Sequence, residues 1–148
     1  CKLRSLGSQV VTGGYGGYVR FLFTIHKTRR ASRVLYYYHG SGGGGYATRG
    51  ALQVNRLALI APDAHFVLSG HTHDDWIHKV RRQRINEAGT IYQDTQYHIR
   101  TPGYKDAWDD GSGGFEVEKL LGPKPIGACW LRFYVEGDDV KQEIMGAE

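Results

Sequence analysis

The alternation of apolar and polar positions divides the first half of the chain into strands around a single helical segment. Residues 18–27 (YVRFLFTIHK) and 34–38 (VLYYY) are rich in β-branched and aromatic residues, which predicts two strands. From about residue 47 to 60, apolar side chains recur at helical spacing and Pro62 follows, which predicts one main helix. Residues 65–69 (HFVLS) predict a short buried strand, so residues 34–69 form a strand–helix–strand unit.

The second half of the chain has strand-like runs and no further helical pattern. These runs are WIHKVRRQRINEAG, TIYQDTQYHIR, CWLRFYVEG and DVKQEIM, and EGDD between the last two predicts a hairpin. Residues 28–33 (TRRASR) are predicted as a basic turn and residues 101–128 as one long loop. The whole pattern predicts an α/β fold with α+β character, with one main helix at about 47–60 and a mostly β C-terminal part.

Three histidines directly follow the two strands of the strand–helix–strand unit. His39 follows the first strand, and His71 and His73 follow the second, within VLSGHTHDDW. A right-handed crossover makes such strands parallel, so both end at the edge of the sheet where α/β proteins bind ligands. Because imidazole binds zinc, iron and manganese well, we predict a metal site at this edge. The alternative is an ordinary structural or surface role, which we assign to the remaining histidines, His26, His65, His78 and His98.

Glycine and basic residues near these histidines predict contacts to an anionic substrate. Gly42 and Gly43 leave space beside His39, and Arg49 lies close to the predicted helix N-terminus, which favours a phosphate oxygen. Lys79, Arg81 and Arg82 in HKVRRQR are further candidates, with a solvated basic strand as the alternative.

The composition limits the class of protein. With 148 residues, 41% of them apolar, and a formal charge of +4, the chain is predicted to be one soluble domain over residues 1–148. This charge permits a nucleic-acid partner without requiring one. No apolar run is long enough to cross a bilayer, and Cys1 and Cys129 form neither a zinc motif nor a disulfide framework. We therefore expect a cytoplasmic protein with no membrane partner.

The histidine pattern resembles the C-terminal half of the calcineurin-like metallophosphoesterases, a β-sandwich family. The similarity covers about residues 18–100 and rests on a strand ending in GHTH, with a strand ending in His about thirty residues earlier. The stretch that begins with HGSGGGG is similar to phage and prophage versions. The resemblance implies that His39 and His71 bind one divalent manganese, zinc or iron ion and that His73 binds a second. It also implies hydrolysis of a phosphomonoester or phosphodiester by a metal-activated water, with nucleic acid or a nucleotide as a candidate substrate.

The other motifs of that family are absent from this chain. It has no Asp-x-His, Gly-Asp-x-x-Asp or Gly-Asn-His-Asp/Glu, and residues 1–33 contain no Asp, so no catalytic general acid is assigned. The resemblance therefore implies the C-terminal part of a larger domain, and we expect the missing N-terminal half or a dimer partner to cover the exposed sheet edge. Two alternatives stay open: a catalytically inactive remnant of the fold, and a basic β-rich module that binds nucleic acid.

Overall fold

The computed structural model describes residues 13–41, 50–106 and 108–147, which form a mixed sheet, one main helix and a β-hairpin. The elements in these ranges are β1 (Gly16–Ile25), β2 (Arg29–Tyr38), α1 (Ala51–Ile60), β3 (Phe66–Ser69), β4 (Trp76–Ile85), β5 (Ile91–Arg100), α2 (Phe115–Glu118), β6 (Ala128–Glu136) and β7 (Asp139–Ala147). The first five strands form one sheet in the order β1-β2-β3-β5-β4, and β6 pairs with β7 alone. The predicted α/β fold with α+β character is confirmed, including its one main helix and mostly β C-terminal part.

The central strands of the sheet are parallel. β2 and β3 run in the same direction, with Leu35 opposite Phe66 and Tyr38 opposite Ser69. β5 lies parallel to β3 on its other side, with Arg100 opposite Ser69. The C-terminal ends of all three strands therefore lie at one edge of the sheet.

One face of the sheet is buried against α1. Leu57 of the helix and Ala61, the residue after it, form a core with Ala64 and Val67. Alternate residues of β2 pack against this core, namely Val34, Tyr36 and Tyr38. Every second residue of a strand points to the same face, which is why these three side chains meet the helix together. Within the described ranges, no helix is both long and apolar enough to span a membrane.

The opposite face of the sheet contacts the β6–β7 hairpin. The Phe133 ring of β6 lies 5.0 Å from that of Phe21 and 5.7 Å from that of Phe66, measured between centroids. Because strand residues alternate between faces, Phe21 and Phe66 point away from α1 and towards the hairpin. The sheet is therefore covered by the helix on one side and by the hairpin on the other.

The predicted basic turn at residues 28–33 is wrong in its extent. Residues 29–33 begin β2 and pair with β1, with Ala31 opposite Phe23. The chain reverses earlier, at His26 and Lys27, whose φ angles of 49° and 68° are of the left-handed kind that tight hairpins use. Pairing with an apolar strand therefore overrides the polar composition of this segment.

The long segment between β5 and β6 also contains more structure than predicted. Phe115–Glu118 form the single turn α2, in which the Glu118 N–H donates to the carbonyl oxygen of Gly114 at 2.9 Å. Gly103 and Ile126 form a parallel bridge, and the Gly127 N–H donates to the carbonyl oxygen of Gly103 at 2.9 Å. These contacts return the end of the segment to the edge where β5 ends.

A buried polar pair lies where the end of α1 meets β5. Gln96 and His98 are 0% and 1% exposed. The Gln96 side-chain amide donates to the carbonyl oxygens of Ala61 and Ala64, each at 2.9 Å, and its Oε1 lies 3.0 Å from His98 Nε2. Burial, followed by the nearby His78 and Arg82, lowers the pKa of His98 to about 4. His98 is therefore neutral at pH 7 and donates its Nε2–H to Gln96.

We expect Leu57→Ala to lower the free energy of unfolding by about 3 kcal/mol, because truncating a buried leucine leaves a cavity. Leu59→Ala on the same helix should cost less than about 0.5 kcal/mol, because that side chain is 82% exposed. Urea unfolding of both variants measures the difference. Equal losses would show that α1 packs on the sheet through another face.

We expect His98 to make the protein less stable as the pH falls from about 6.5 to about 4. Its pKa is about 4 in the folded chain and near 6.5 in the unfolded chain, so protons bind preferentially to the unfolded state in this interval. The loss of unfolding free energy should reach up to about 3 kcal/mol. Urea unfolding at about pH 7 and about pH 5 should show a smaller loss for His98→Gln than for the wild type. The same pH dependence in both proteins would rule out this role of His98.

Candidate functional site

His39 and His71 lie side by side at the edge where β2 and β3 end. Their ring centroids are 5.4 Å apart and the ring planes meet at 67°. The His39 N–H donates to the carbonyl oxygen of Tyr15 at 2.8 Å, and the Gly70 N–H donates to the carbonyl oxygen of His39 at 3.2 Å. Both histidines are exposed, so their rings are accessible to a ligand.

The two histidine-bearing turns approach too closely for a side chain at Gly40. Its φ is 104°, and a Cβ there would lie 2.6 Å from the carbonyl oxygen of Gly70 and 2.8 Å from Cβ of His71. Glycine is required both for this φ and for the space. A larger residue at this position would push the two turns apart and separate the imidazoles.

The turn after β3 holds both of its histidines in the left-handed region of backbone space. The φ angles of His71 and His73 are 75° and 55°. Such a conformation costs an L-residue about 1–2 kcal/mol and persists only where surrounding contacts hold it. One such contact is the Thr72 N–H, which donates to the carbonyl oxygen of Gly70 at 3.0 Å.

His73 contacts Gly103, at the start of the segment that follows β5. A Cβ on Gly103 would lie 2.9 Å from Nδ1 of His73 and 3.0 Å from its Cγ, so the ring lies against the glycine backbone. Across residues 13–41, 50–106 and 108–147, no group of three or more His, Cys, Asp or Glu side chains is arranged to hold a metal ion. The structure thus brings His39 and His71 together, and the metal-binding role of all three histidines stays a prediction.

Asp74 ties the histidine turn to the segment before β6. Lys124 Nζ lies 2.6 Å from Asp74 Oδ1. Burial acts to raise the pKa of Asp74, but the hydrogen bonds with Lys124 and Thr72 lower it below its ordinary value. The carboxylate is therefore ionised at neutral pH and already has a cationic partner.

Arg100 lies buried beneath the histidine turn, and the sequence analysis missed it. The residue is 1% exposed. Its Nη1 donates to the carbonyl oxygen of Gly70 at 2.8 Å and to Thr72 Oγ1 at 2.9 Å, and its Nη2 donates to Gln53 Oε1. Its guanidinium carbon lies 5.3 Å from the ring centroid of Trp76. Among the described residues, no carboxylate forms an ion pair with Arg100 and its Nε has no hydrogen-bond partner.

The predicted substrate contacts are only partly covered by the structure. Gly42, Gly43 and Arg49 lie outside the described residues. Three of the four cations of HKVRRQR were candidates for substrate binding, and all three have partners within or near the β4–β5 hairpin. Lys79 lies over the Tyr97 ring at 5.9 Å, Arg81 donates to Gln93 and Thr95, and Arg82 pairs with Asp94 at 2.6 Å. These contacts are structural, and substrate binding by the three side chains stays a prediction.

An open pocket of about 270 Å³ adjoins His39 at the same edge. Its lining includes Tyr37, Leu68 and Ser69, together with Tyr15. The Tyr15 hydroxyl donates to the carbonyl oxygen of Gly40 at 2.7 Å, and its ring lies 5.1 Å from that of His39. The pocket therefore offers aromatic surface and hydroxyl groups next to the imidazole pair.

Comparison with known proteins assigns neither a family nor an activity. No family model matches the chain, and none of the curated proteins matches it. Among solved structures, the chain is similar to wild-type Vps29 from Entamoeba histolytica, crystallised as a complex with Zn²⁺. The identity is 14% and the TM-score is 0.35, and the match covers 86% of this chain and 59% of that one. This chain therefore spans less than two thirds of the length of Vps29, and a similarity of this extent carries no argument about function.

Proposed function

We propose that this chain carries the histidine part of a divalent-metal site that serves phosphoester hydrolysis. The observation that carries the proposal is the His39–His71 pair. These imidazoles come from distant segments, and their ring centroids are 5.4 Å apart at the C-terminal edge of parallel strands. Imidazole is a favoured ligand of zinc, iron and manganese. The resemblance of GHTH to the metallophosphoesterase motif supports a phosphoester as the substrate.

The donors at this edge fit part of such a site. A zinc-like site takes three or four protein ligands, and the described residues arrange no group of three around one ion. Two divalent ions side by side also repel each other unless carboxylates offset their charge. We therefore propose that further ligands, carboxylates among them, come from a second polypeptide segment, either the N-terminal half of a larger domain or a partner chain.

The residues of this chain would bind the metal ions and orient the substrate. The metal would supply the positive charge that activates water. A bound ion of this kind lowers the pKa of a water molecule and polarises phosphoryl oxygens. His39 and His71 would hold one ion through ring nitrogens, and His73 would serve a second. The pocket beside His39 would receive the ester group against Tyr15 and Tyr37. Gly42, Gly43 and Arg49 are proposed contacts to the phosphate.

We expect the chain to bind about one Zn²⁺ per molecule near neutral pH, with an affinity that depends on the paired imidazoles. His71→Ala should lower the affinity about tenfold or more, because it removes one of the two paired ligands. Isothermal titration calorimetry measures both quantities. The control is His78→Ala, which removes an exposed histidine of β4 and should leave the affinity unchanged. Equal affinity in the wild type and His71→Ala would refute the assigned ligand.

We expect the chain alone to hydrolyse an aryl phosphodiester poorly, with or without manganese, because the described site lacks carboxylate ligands. Robust manganese-dependent turnover that disappears when His71 and His73 are both changed to Ala would show that the site is complete without a second segment. Addition of a segment carrying Asp-x-His and Gly-Asp-x-x-Asp motifs should raise turnover. A reconstituted complex that binds metal but stays inactive would favour the inactive remnant.

A further inference from the structure

We infer that the buried Arg100 and the half-buried Gln53 form a clamp that positions the His39 and His71 turns relative to each other. The inference rests on the proposed function, since the clamp would prepare the imidazole pair for metal. Neither residue is assigned a role in the chemistry. The clamp consists of four hydrogen bonds that run from the His71 turn, through Arg100 and Gln53, to the His39 turn.

The first half of the clamp holds the turn that carries His71. Arg100 Nη1 donates to the carbonyl oxygen of Gly70 at 2.8 Å and to Thr72 Oγ1 at 2.9 Å, so it bonds the residues on both sides of His71. The φ of 75° at His71 is unfavourable for an L-residue and needs such contacts to persist. Arg100 therefore helps to hold the conformation in which His71 lies beside His39.

The second half of the clamp reaches the turn that carries His39. Gln53 accepts a hydrogen bond from Arg100 through Oε1, and its Nε2 donates to the carbonyl oxygen of Ser41 at 2.7 Å. Ser41 lies two residues after His39. A side-chain amide can accept on one side and donate on the other, whereas a carboxylate accepts only. Gln53 is thus chemically suited to join the two turns.

Stability alone is a weak reason for a guanidinium at position 100. The charge of the nearby Asp74 offsets part of the cost of burying this cation, but Asp74 forms no ion pair with it, and apolar residues of similar volume often replace buried charges without loss. Arg100 is 1% exposed, and its Nε has no hydrogen-bond partner within the described part of the chain. What an apolar residue lacks is the set of directed donors that reach Gly70, Thr72 and Gln53. These directed hydrogen bonds therefore indicate that Arg100 positions the turns that carry His39 and His71.

Gln53→Glu separates positioning from stability. The carboxylate still accepts from Arg100 and pairs with its charge, and an acidic residue in the first turn of α1 favours the helix dipole. The thermal midpoint should therefore stay the same or rise. The carboxylate cannot donate to Ser41, and the two oxygens repel each other, so the His39 turn loses its hydrogen bond to the clamp. We expect the Zn²⁺ affinity, measured by calorimetry, to fall about tenfold or more. Asn55→Asp makes the same change of charge at an exposed position of α1 and should leave the affinity unchanged.

A second measurement tests the clamp without metal. In the metal-free full chain, the ring protons of His39 and His71 should give a nuclear Overhauser cross-peak in the wild type and in Asn55→Asp. We expect this cross-peak to be lost in Gln53→Glu and in Arg100→Gln. Arg100→Lys should recover it only in part, because one ammonium cannot reproduce the planar fork. If Arg100→Gln does not fold, the cross-peak in Gln53→Glu alone tests the clamp.

The outcomes distinguish the clamp from the metal site. A cross-peak that persists unchanged in Gln53→Glu overturns the clamp, as does an unchanged Zn²⁺ affinity in that variant. Failure of the wild type to bind Zn²⁺, with the cross-peak present and lost in Gln53→Glu, overturns the proposed function and supports the clamp. No cross-peak in the wild type overturns the imidazole pair itself and the clamp with it.

Discussion

The parallel pairing of β2 with β3 is the constraint on which the rest of the structure depends. Because Tyr38 lies opposite Ser69, the next residues, His39 and Gly70, leave the sheet together, and the His71 turn folds beside His39. A slip of one residue would turn Tyr36 and Tyr38 away from α1 and remove them from the core. The same register that buries the tyrosines therefore also brings the imidazoles together. Packing and the candidate site cannot be changed independently at this edge.

The polar row on β5 links this constraint to the helix. Gln96, His98 and Arg100 alternate along the strand, so all three point to the face covered by α1. Gln96 binds the carbonyl oxygens at the end of the helix, and Arg100 binds Gln53 in its first turn. The start of α1 and the residues just after it are thereby attached to one strand through hydrogen bonds that are buried or partly buried. Such bonds are directional, so they specify where the helix lies more narrowly than apolar contacts alone. This arrangement is energetically costly because it buries a neutral histidine, His98, and a cation, Arg100, that forms no ion pair with any described residue.

The elements that depend on local pattern could be predicted from the sequence. The apolar spacing before Pro62 indicated α1, EGDD indicated the β6–β7 turn, and the run ending at Ser69 indicated β3. Prediction failed where a distant partner decides the outcome. Residues 29–33 have the composition of a basic turn, yet they form half of β2 because β1 provides an apolar strand to pair with. The GHTH motif and the right-handed crossover indicated that His39 and His71 would share an edge, which is how they lie.

The sequence by itself determined the strand–helix–strand order. That order places the His39 and His71 imidazoles at one edge of the sheet, because crossover handedness is a general property of L-polypeptides. Only the tertiary structure decided the role of Arg100. In the sequence, an arginine in QYHIRT at the end of a strand looks like a solvent-facing charge, since β5 alternates polar and apolar residues without revealing which face is covered. Once β3, α1 and Trp76 surround that side chain, its donors meet Gly70, Thr72 and Gln53. Its burial arises from segments far apart in the chain, and local sequence carries no information about contacts of that kind.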